Sequence, residues 1–463
     1  MFPATQRRDR SGPHVPNSIL YPVLFTVLFF LCDADLFLAS RIQGFNLRWG
    51  QGLMFFFILA ALGHLFKERK NHSATWLFHA QILKFWAPFF LVYLLSALFA
   101  ENRSATLLKW GWGIFNIGGA ALLALSPLWK DSIEKGFRWS VGLLSVFIAF
   151  QAVALYGLGA TSLADHSQSS FPLFLDLFQT KIQLGYAQYS WIFEGQNIFR
   201  PNGFYYEPSY AGCSLAFAFP LILALNSRLP GWRSLLLPAF VLSTVILIGS
   251  RAGILSCVVT LFVSAFFGLR RRFKDRLYLL FKTTGISLLF LGLFLLLPLG
   301  SRYLRFIAGP LVSHSFQRLQ ENRGSEGDRV STALRNVQSA RENPLLGKGV
   351  VLRASPNDQG LAQVAMNTWV ELKLESGWFG LLSFLFAVLA TLRAALGRGV
   401  GDPWVDFLIA AWISHFLIHL NFTQTYPRLD YWLMFFLSIR LLLHRGEPLK
   451  KSASPPSLRR NHV

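Results

Sequence analysis

The stretch from Thr283 to Leu299 reads TTGISLLFLGLFLLLPL and contains no charged residue. An uncharged run of this length is too long for an ordinary buried strand and approaches the ~20 residues that a helix needs to cross a membrane. Runs of the same kind recur along the whole chain. Because the backbone must satisfy its own hydrogen bonds in lipid, the sequence predicts a polytopic membrane protein built of α-helices.

The composition agrees with this prediction. Of 463 residues, 53% are hydrophobic and 14% are charged, whereas soluble domains usually have about 25% charged residues. The formal net charge of +21 could indicate nucleic-acid binding, but the basic residues fall in short clusters between apolar runs. That pattern is typical of cytoplasmic loops, so nucleic acid is not an expected partner. Cys32, Cys213 and Cys257 lack metal-ligand spacing, so they imply neither a zinc site nor a disulfide framework. We expect no cofactor.

Hydropathy predicts an all-α fold of about 12 transmembrane helices. The predicted spans are Leu20–Ala39, Gly52–Phe66, Phe85–Phe99, Leu107–Leu128, Ser140–Leu158, Tyr210–Leu225, Leu235–Ile248, Ala252–Leu269, Thr283–Leu299, Trp369–Leu392, Trp404–Leu420 and Tyr431–Leu443. The excess of Lys and Arg in the short loops of one side predicts that both termini are cytoplasmic. We expect one transmembrane domain over residues 1–445 and a basic, disordered cytoplasmic tail over 446–463.

Two predicted extracytoplasmic loops are long, covering about residues 159–209 and 300–367. Every predicted cytoplasmic loop is short. Because loops on a rigid scaffold carry function, we expect the chemistry on the extracytoplasmic side. The second loop is basic on balance, which favours an anionic substrate.

The first long loop ends in Arg200-Pro-Asn-Gly-Phe-Tyr-Tyr-Glu-Pro-Ser-Tyr-Ala211 and runs directly into a span. Pro208 falls where a helix would start, and Glu207 or Ser209 could cap that helix. Glu207 either serves only the helix N-terminus or takes part in chemistry, since a carboxylate beside Arg200 is costly to place at the membrane edge.

A second motif, Gly249-Ser-Arg-Ala-Gly253, joins two apolar runs with almost no loop. This spacing predicts a tight helical hairpin with Arg251 at the membrane surface. Arg251 either extends its charge to water past the apolar surface, or binds an anion with its planar guanidinium.

The second long loop holds Gly327-Asp-Arg329, a predicted helix over 330–340, and then Glu342-Asn-Pro-Leu-Leu-Gly-Lys-Gly349, where Pro and Gly predict a turn. We reject a nucleotide-binding loop, because no Gly-Lys-Ser/Thr follows and the segment faces the side without ATP. Asn367, Glu371 and Glu375 recur at helical spacing. They should therefore share one face, directed at a cavity or at partners.

The order of these motifs resembles the O-antigen ligase/polymerase superfamily of bacterial integral-membrane glycosyltransferases of the GT-C type. The resemblance covers about residues 200–380. It implies transfer of a glycan from an undecaprenyl pyrophosphate carrier at the outer leaflet of the bacterial inner (cytoplasmic) membrane, independent of metal and of nucleotide sugar. It also implies a set of catalytic residues, which are Glu207, Arg251 and Asn367, and a set that binds pyrophosphate or glycan, which are Arg200, Arg329, Asn343, Lys348 and Glu371.

One departure from the family concerns the catalytic base. Ligases of this family usually carry His-Asn at the start of the late span, whereas here Met366 precedes Asn367, and His314 is far upstream. Glu207 is then the candidate base, or the mechanism relies on positioning and on the leaving group.

The missing histidine favours a polysaccharide polymerase that joins lipid-linked repeat units of O-antigen, capsule or exopolysaccharide. The alternative is an O-antigen ligase that transfers the glycan to lipid A core during lipopolysaccharide synthesis. A twelve-helix transporter or flippase would predict two similar halves, and no internal repeat is visible. The expected partners are the lipid-linked glycan, the glycan or lipid A core acceptor, membrane lipids and other polysaccharide-assembly proteins.

Overall fold

The computed structural model describes seventeen stretches of the chain. They are residues 19–33, 38–42, 45–69, 74–156, 161–162, 170–177, 180–193, 196–205, 208–226, 229, 232–270, 274–296, 338, 341–350, 367–397, 404–420 and 428–443. The predicted helix over 330–340 and the predicted tail over 446–463 lie outside these stretches, apart from Gln338, which is helical.

Helices dominate the described residues. In chain order they are α1 (Leu20–Asp33), α2 (Trp49–Arg69), α3 (Ala74–Phe99), α4 (Arg103–Leu125, with a π-helical turn at Ile114–Gly118), α5 (Lys130–Tyr156), α6 (Pro208–Asn226), α7 (Arg233–Ile248), α8 (Arg251–Arg270), α9 (Lys274–Leu296), α10 (Thr368–Leu396), α11 (Trp404–Ser414, continued by a π-helical turn at His415–His419) and α12 (Leu429–Leu443). Every predicted apolar run overlaps one of these helices.

Five described stretches are long and apolar enough to cross a membrane. They are Trp49–Lys67, Phe78–Phe99, Arg103–Leu125, Asp131–Tyr156 and Thr368–Leu396. Shorter apolar helices include Tyr210–Asn226 and Arg251–Phe266. The protein is therefore a helical, membrane-embedded protein, in line with the predicted fold class.

Within the described residues, strands lie between the helices in two places. A hairpin pairs β1 (Leu38–Ile42) with β2 (Phe45–Arg48), and an antiparallel sheet joins β3 (Thr161–Ser162), β4 (Ser170–Leu177), β5 (Thr180–Phe193) and β6 (Gln196–Pro201) in chain order. The sheet occupies the first long loop, where the sequence analysis predicted no strands. Its last strand pairs Arg200 with Gln188, so the motif that begins at Arg200 starts on ordered backbone.

Helices α6 and α12 form the centre of the bundle. Every side chain from 211 to 226 and from 429 to 442 is buried, as expected for helices that are apolar on all sides. Phe217 of α6 stacks on Tyr431 of α12, with ring centroids 5.8 Å apart. By contrast, α8 and α9 expose large apolar side chains such as Phe262 and Phe281, which suits surfaces that contact lipid.

Candidate functional site

The predicted tight hairpin is present between α7 and α8. Gly249 ends α7 in the left-handed conformation (φ 66°, ψ 27°), and its N–H donates to the carbonyl of Ile246 at 2.9 Å. Ser250 then caps α8, since its side-chain oxygen accepts from the N–H of Gly253 at 3.2 Å. Arg251 is thus the first residue of α8, and it is exposed.

The hairpin is held against α6 by a close crossing of two backbones. A Cβ on Gly253 would lie 2.8 Å from the carbonyl carbon and oxygen of Gly212. Only glycine permits this approach. Gly253 therefore holds the start of α8, and with it Arg251, beside the first turns of α6.

Arg200 lies next to this hairpin. Its Nη1 donates to the carbonyl oxygen of Gly249 at 3.1 Å. The end of β6 is therefore tied to the tip of the hairpin, and the structure brings Arg200 and the Arg251 hairpin together. Helix α6 begins at Pro208, as the sequence predicted. Glu207, the expected base, lies outside the described residues, as does Arg329.

Helix α10 is broken at Gly377, whose φ of 63° and ψ of −164° are accessible essentially to glycine alone. We call residues 368–376 the short piece of α10 and residues 378–396 its long piece. In an unbroken helix the N–H groups of residues 378 and 379 would bond the carbonyls of residues 374 and 375. Here they donate instead to Pro344 (2.8 Å) and Leu345 (3.2 Å).

The residues that fill the break belong to the Glu342–Gly349 motif. The N–H groups of Lys348 and Gly349 donate to the freed carbonyls of Leu374 (2.8 Å) and Glu375 (3.0 Å). We call residues 341–350 the docked segment. A Cβ on Gly347 would meet the α10 backbone at 2.5–2.6 Å, so the absence of a side chain at this position permits the close contact between the two backbones. The predicted turn is present, with the N–H of Gly347 bonded to the carbonyl of Asn343 at 2.9 Å.

Asn367, Glu371 and Glu375 do share one face of the short piece. Asn367 caps it, its Oδ1 accepting from the N–H groups of Trp369 (3.0 Å) and Val370 (3.1 Å). The partner of the two carboxylates is Lys109 of α4, whose Nζ lies 2.5 Å from an oxygen of each. Glu371 is 2% exposed, and its carboxylate faces this lysine inside the protein.

Tyr93 of α3 completes the cluster, because its hydroxyl donates to Glu375 Oε2 at 2.7 Å. Sequence reasoning missed both Lys109 and Tyr93. The available signal was a lysine inside an apolar run, since ionisable residues at membrane depth are costly and usually paired. Its partners lie 262 and 266 residues further along the chain, and spacing alone cannot identify them.

Lys348 sits at the edge of the docked segment. Its ammonium contacts Glu342 and lies 3.3 Å from Glu101, while its side chain is 13% exposed. The hydrogen bond that Lys348 donates to Glu342 is the main reason why the pKa of Lys348 is raised above its ordinary value. Asn343, the other expected glycan contact of this segment, is exposed.

A second polar cluster, also missed from the sequence, precedes α12. Arg428 pairs with Asp430 (2.7 Å) and donates to Ser214 of α6 (3.2 Å). Its guanidinium lies 4.9–5.4 Å from three tyrosine ring centroids, those of Tyr205, Tyr210 and Tyr431. Ser214 and Asp430 also line a cavity of ≈ 40 Å³ between α1, α5, α6 and α12, large enough for water.

The Arg200–Gly249 contact, the docked segment and the clusters around Lys109 and Arg428 lie at one end of the helices, which we call the motif end. Trp369 of α10 stacks on Phe416 of α11, with centroids 5.7 Å apart, and Ser414 of α11 bonds the carbonyl of Ser256 in α8 at 2.9 Å. Within the stretches that the structure describes, no group of three or more His, Cys, Asp or Glu side chains is arranged to hold a metal ion.

The fold and this site define a membrane-embedded helical protein with cationic side chains at one end of the bundle. Residues 215–385 match the family model described as O-antigen ligase. Over these residues the match confirms the resemblance to the O-antigen ligase/polymerase superfamily, and it supports a glycosyltransferase-like enzyme of that type. The matched stretch includes the hairpin, the docked segment and most of α10. No curated protein matches the sequence.

Proposed function

We propose that the protein is a polysaccharide polymerase that joins undecaprenyl-pyrophosphate-linked repeat units of O-antigen, capsule or exopolysaccharide. A hydroxyl of the acceptor glycan attacks the anomeric carbon of the donor and forms the new glycosidic bond. The bond between that carbon and the pyrophosphate oxygen breaks, and the hydroxyl proton passes to a base. Undecaprenyl pyrophosphate leaves with the negative charge.

The observation that carries this proposal is the pairing of Arg200 with the hairpin that presents Arg251. The Arg200–Gly249 hydrogen bond places two arginines on the same part of the motif end. A pyrophosphate that leaves with growing negative charge is stabilised by guanidinium groups held in place before the reaction. Arg329 is proposed to add a third cation.

The remaining roles follow from the family. Glu207 is proposed as the base, and Asn367, at the start of the short piece, as a further catalytic residue. Asn343 is proposed to contact the glycan together with Lys348, since both lie on the docked segment and Asn343 is exposed. Reaction without a metal is part of the proposal, because arginines can supply the charge stabilisation that a cation would otherwise give.

The membrane arrangement in this proposal has twelve spans with both termini in the cytoplasm. The motif end then faces the extracytoplasmic side of the bacterial inner membrane, where lipid-linked repeat units are presented. The long loops fall on that side, and the basic short loops fall on the other.

The second candidate function is that of an O-antigen ligase, which would transfer the glycan to lipid A core. The description of the matched family favours it, whereas Met366, in place of the expected histidine, favours the polymerase. The two functions differ in the acceptor and share the donor site.

Reconstitution of the purified protein with a lipid-linked repeat unit tests the proposal. With repeat units alone, a polymerase lengthens the glycan on the carrier, whereas a ligase reacts only when lipid A core is added. Arg251→Ala should lower the rate about 100-fold. The matched control is Arg233→Ala, which removes an exposed arginine from the opposite end of the α7–α8 pair and should leave the rate unchanged. Absence of any glycan product with either acceptor would refute both functions.

A further inference from the structure

We propose that Lys109 is a positioning residue that holds the short piece of α10 in register with α4, and that glycan transfer depends on this register. The inference rests on the proposed function for its effect on activity. The positioning itself is a property of the fold and can be measured without a substrate.

The contacts of Lys109 connect three helices. Its Nζ lies 2.5 Å from Oε1 of Glu371 and 2.5 Å from Oε1 of Glu375. The hydroxyl of Tyr93 binds the other oxygen of Glu375. These four residues are at most 5% exposed, so water does not screen the ion pairs. Helices α3 and α4 are thereby fastened to the short piece.

The short piece needs such a fastening because of the break at Gly377. Near its C-terminal end the helical hydrogen bonds of the Leu374 and Glu375 carbonyls are replaced by bonds to the docked segment. A helix this short is not stable by itself. Two buried carboxylates are tolerated only where a cation faces them, so Lys109 determines where the short piece can lie.

Both ends of the short piece lead to residues of the proposed site. Asn367 caps its start. Near its end, the segment that carries Lys348 bonds to the carbonyls of Leu374 and Glu375. A change in the Lys109 contacts therefore displaces Asn367 and the segment that carries Lys348 together. A displacement on the order of 1 Å in such a site costs about 100-fold in rate.

The main variant is Lys109→Met in the full chain, purified in lipid nanodiscs. Lys373→Met is the matched control, since Lys373 belongs to the same short piece but lies over the Trp378 ring, 4.3 Å from its centroid. In Lys109→Met, amide hydrogen exchange should rise about tenfold over residues 341–350 and 367–376 and stay unchanged in α6 and α12. For glycan transfer, kcat should fall about 100-fold with KM for the donor within about threefold. Lys373→Met should change neither measurement.

A charge swap covers the case in which Lys109→Met fails to fold. The pair Lys109→Glu and Glu375→Lys, in one chain, restores an opposite charge at the same place and should recover protection over residues 341–350 and 367–376. Lack of recovery in a folded swap variant would overturn the proposal. A neutral triple variant, Lys109→Met with Glu371→Gln and Glu375→Gln, that keeps both wild-type protection and wild-type kcat would also overturn it.

The exchange measurement separates this inference from the proposed function. If the wild-type protein transfers no glycan but exchange responds as expected, the proposed function fails and the positioning role of Lys109 stands. If glycan is transferred and Lys109→Met leaves kcat and exchange unchanged, the positioning role is wrong and the proposed function stands.

Discussion

Arg200 and Gly249 are joined by a hydrogen bond of 3.1 Å from the guanidinium to the backbone carbonyl. The bond links the last strand of the loop sheet to the tip of the α7–α8 hairpin, across 49 residues of chain. Because the acceptor is a carbonyl two positions before Arg251, the bond holds Arg200 beside the hairpin that carries Arg251. The geometry of the proposed pyrophosphate site is thereby set by backbone as well as by side chains.

Arg200→Lys should lower the rate of glycan transfer about tenfold. Lysine keeps the charge but loses the planar fork that can hold Gly249 with one nitrogen and an anion with the others. The measurement is the transfer rate in nanodiscs, at low and at high salt, since charge alone should be more salt-sensitive. Arg233→Lys at the opposite end of α7 is the control. A wild-type rate in Arg200→Lys would contradict a role for the guanidinium shape.

Gly253→Ala should destabilise the protein by about 1–3 kcal/mol, because the new methyl group meets the backbone of Gly212 and the two helices must separate. The shift of α8 should also displace Arg251, so the transfer rate should fall with stability. Thermal unfolding of the purified protein measures the first effect. Gly285→Ala serves as the control, since a Cβ there meets nothing within 4 Å. Equal melting temperatures for the two variants would argue against a tight crossing.

Gly377→Ala should cost about 1–3 kcal/mol, because φ 63° with ψ −164° is strained for any residue with a Cβ. The new methyl group would also collide with the backbone of Leu345. We expect the docked segment to leave the break, which protease sensitivity over residues 341–350 would reveal. The control is Gly292→Ala, since a Cβ at this position meets no atom within 4 Å. This variant should remain resistant to the protease. Undiminished resistance in Gly377→Ala would mean that the break does not depend on glycine.

Glu342→Gln should lower the pKa of Lys348, because the hydrogen bond that Lys348 donates to the Glu342 carboxylate is the largest cause of its elevation above 10.5. A lysine with a raised pKa stabilises the folded state fully below its unfolded value and loses that effect as the pH rises through the folded value. Lys348 should therefore add no pH dependence near neutrality. The test is the rate of amine acetylation at Lys348 at about pH 9, read by mass spectrometry. It should increase in Glu342→Gln, and an unchanged rate would contradict the assignment.

Hydropathy and turn chemistry predicted most of the fold. Each apolar run overlaps a helix because burial in lipid demands that pattern locally. The hairpin at Gly249 was predictable for a similar reason, since Gly249-Ser-Arg leaves no room for another connection. The four-stranded sheet in the first loop was not predicted, because its pattern is weak beside the strong apolar signal of the spans.

The site was less predictable, because its contacts join distant parts of the chain. The shared face of Asn367, Glu371 and Glu375 followed from spacing, but its partner Lys109 did not. The hydrogen bonds between residues 374–379 of α10 and residues 344–349 leave no local signature in the sequence beyond glycines such as Gly347 and Gly377. Arg428 and Asp430 were part of a span boundary in the sequence, and only the fold places them beside Ser214.

The break in α10 has a consequence for how this helix transmits mechanical strain. A continuous helix acts as a rigid rod, so that a twist applied at one end appears at the other. In α10 the N–H groups of residues 378 and 379 and the carbonyls of residues 374 and 375 bond the docked segment instead of each other. A twist of the short piece therefore reaches the long piece through residues 344–349, which are bonded to both.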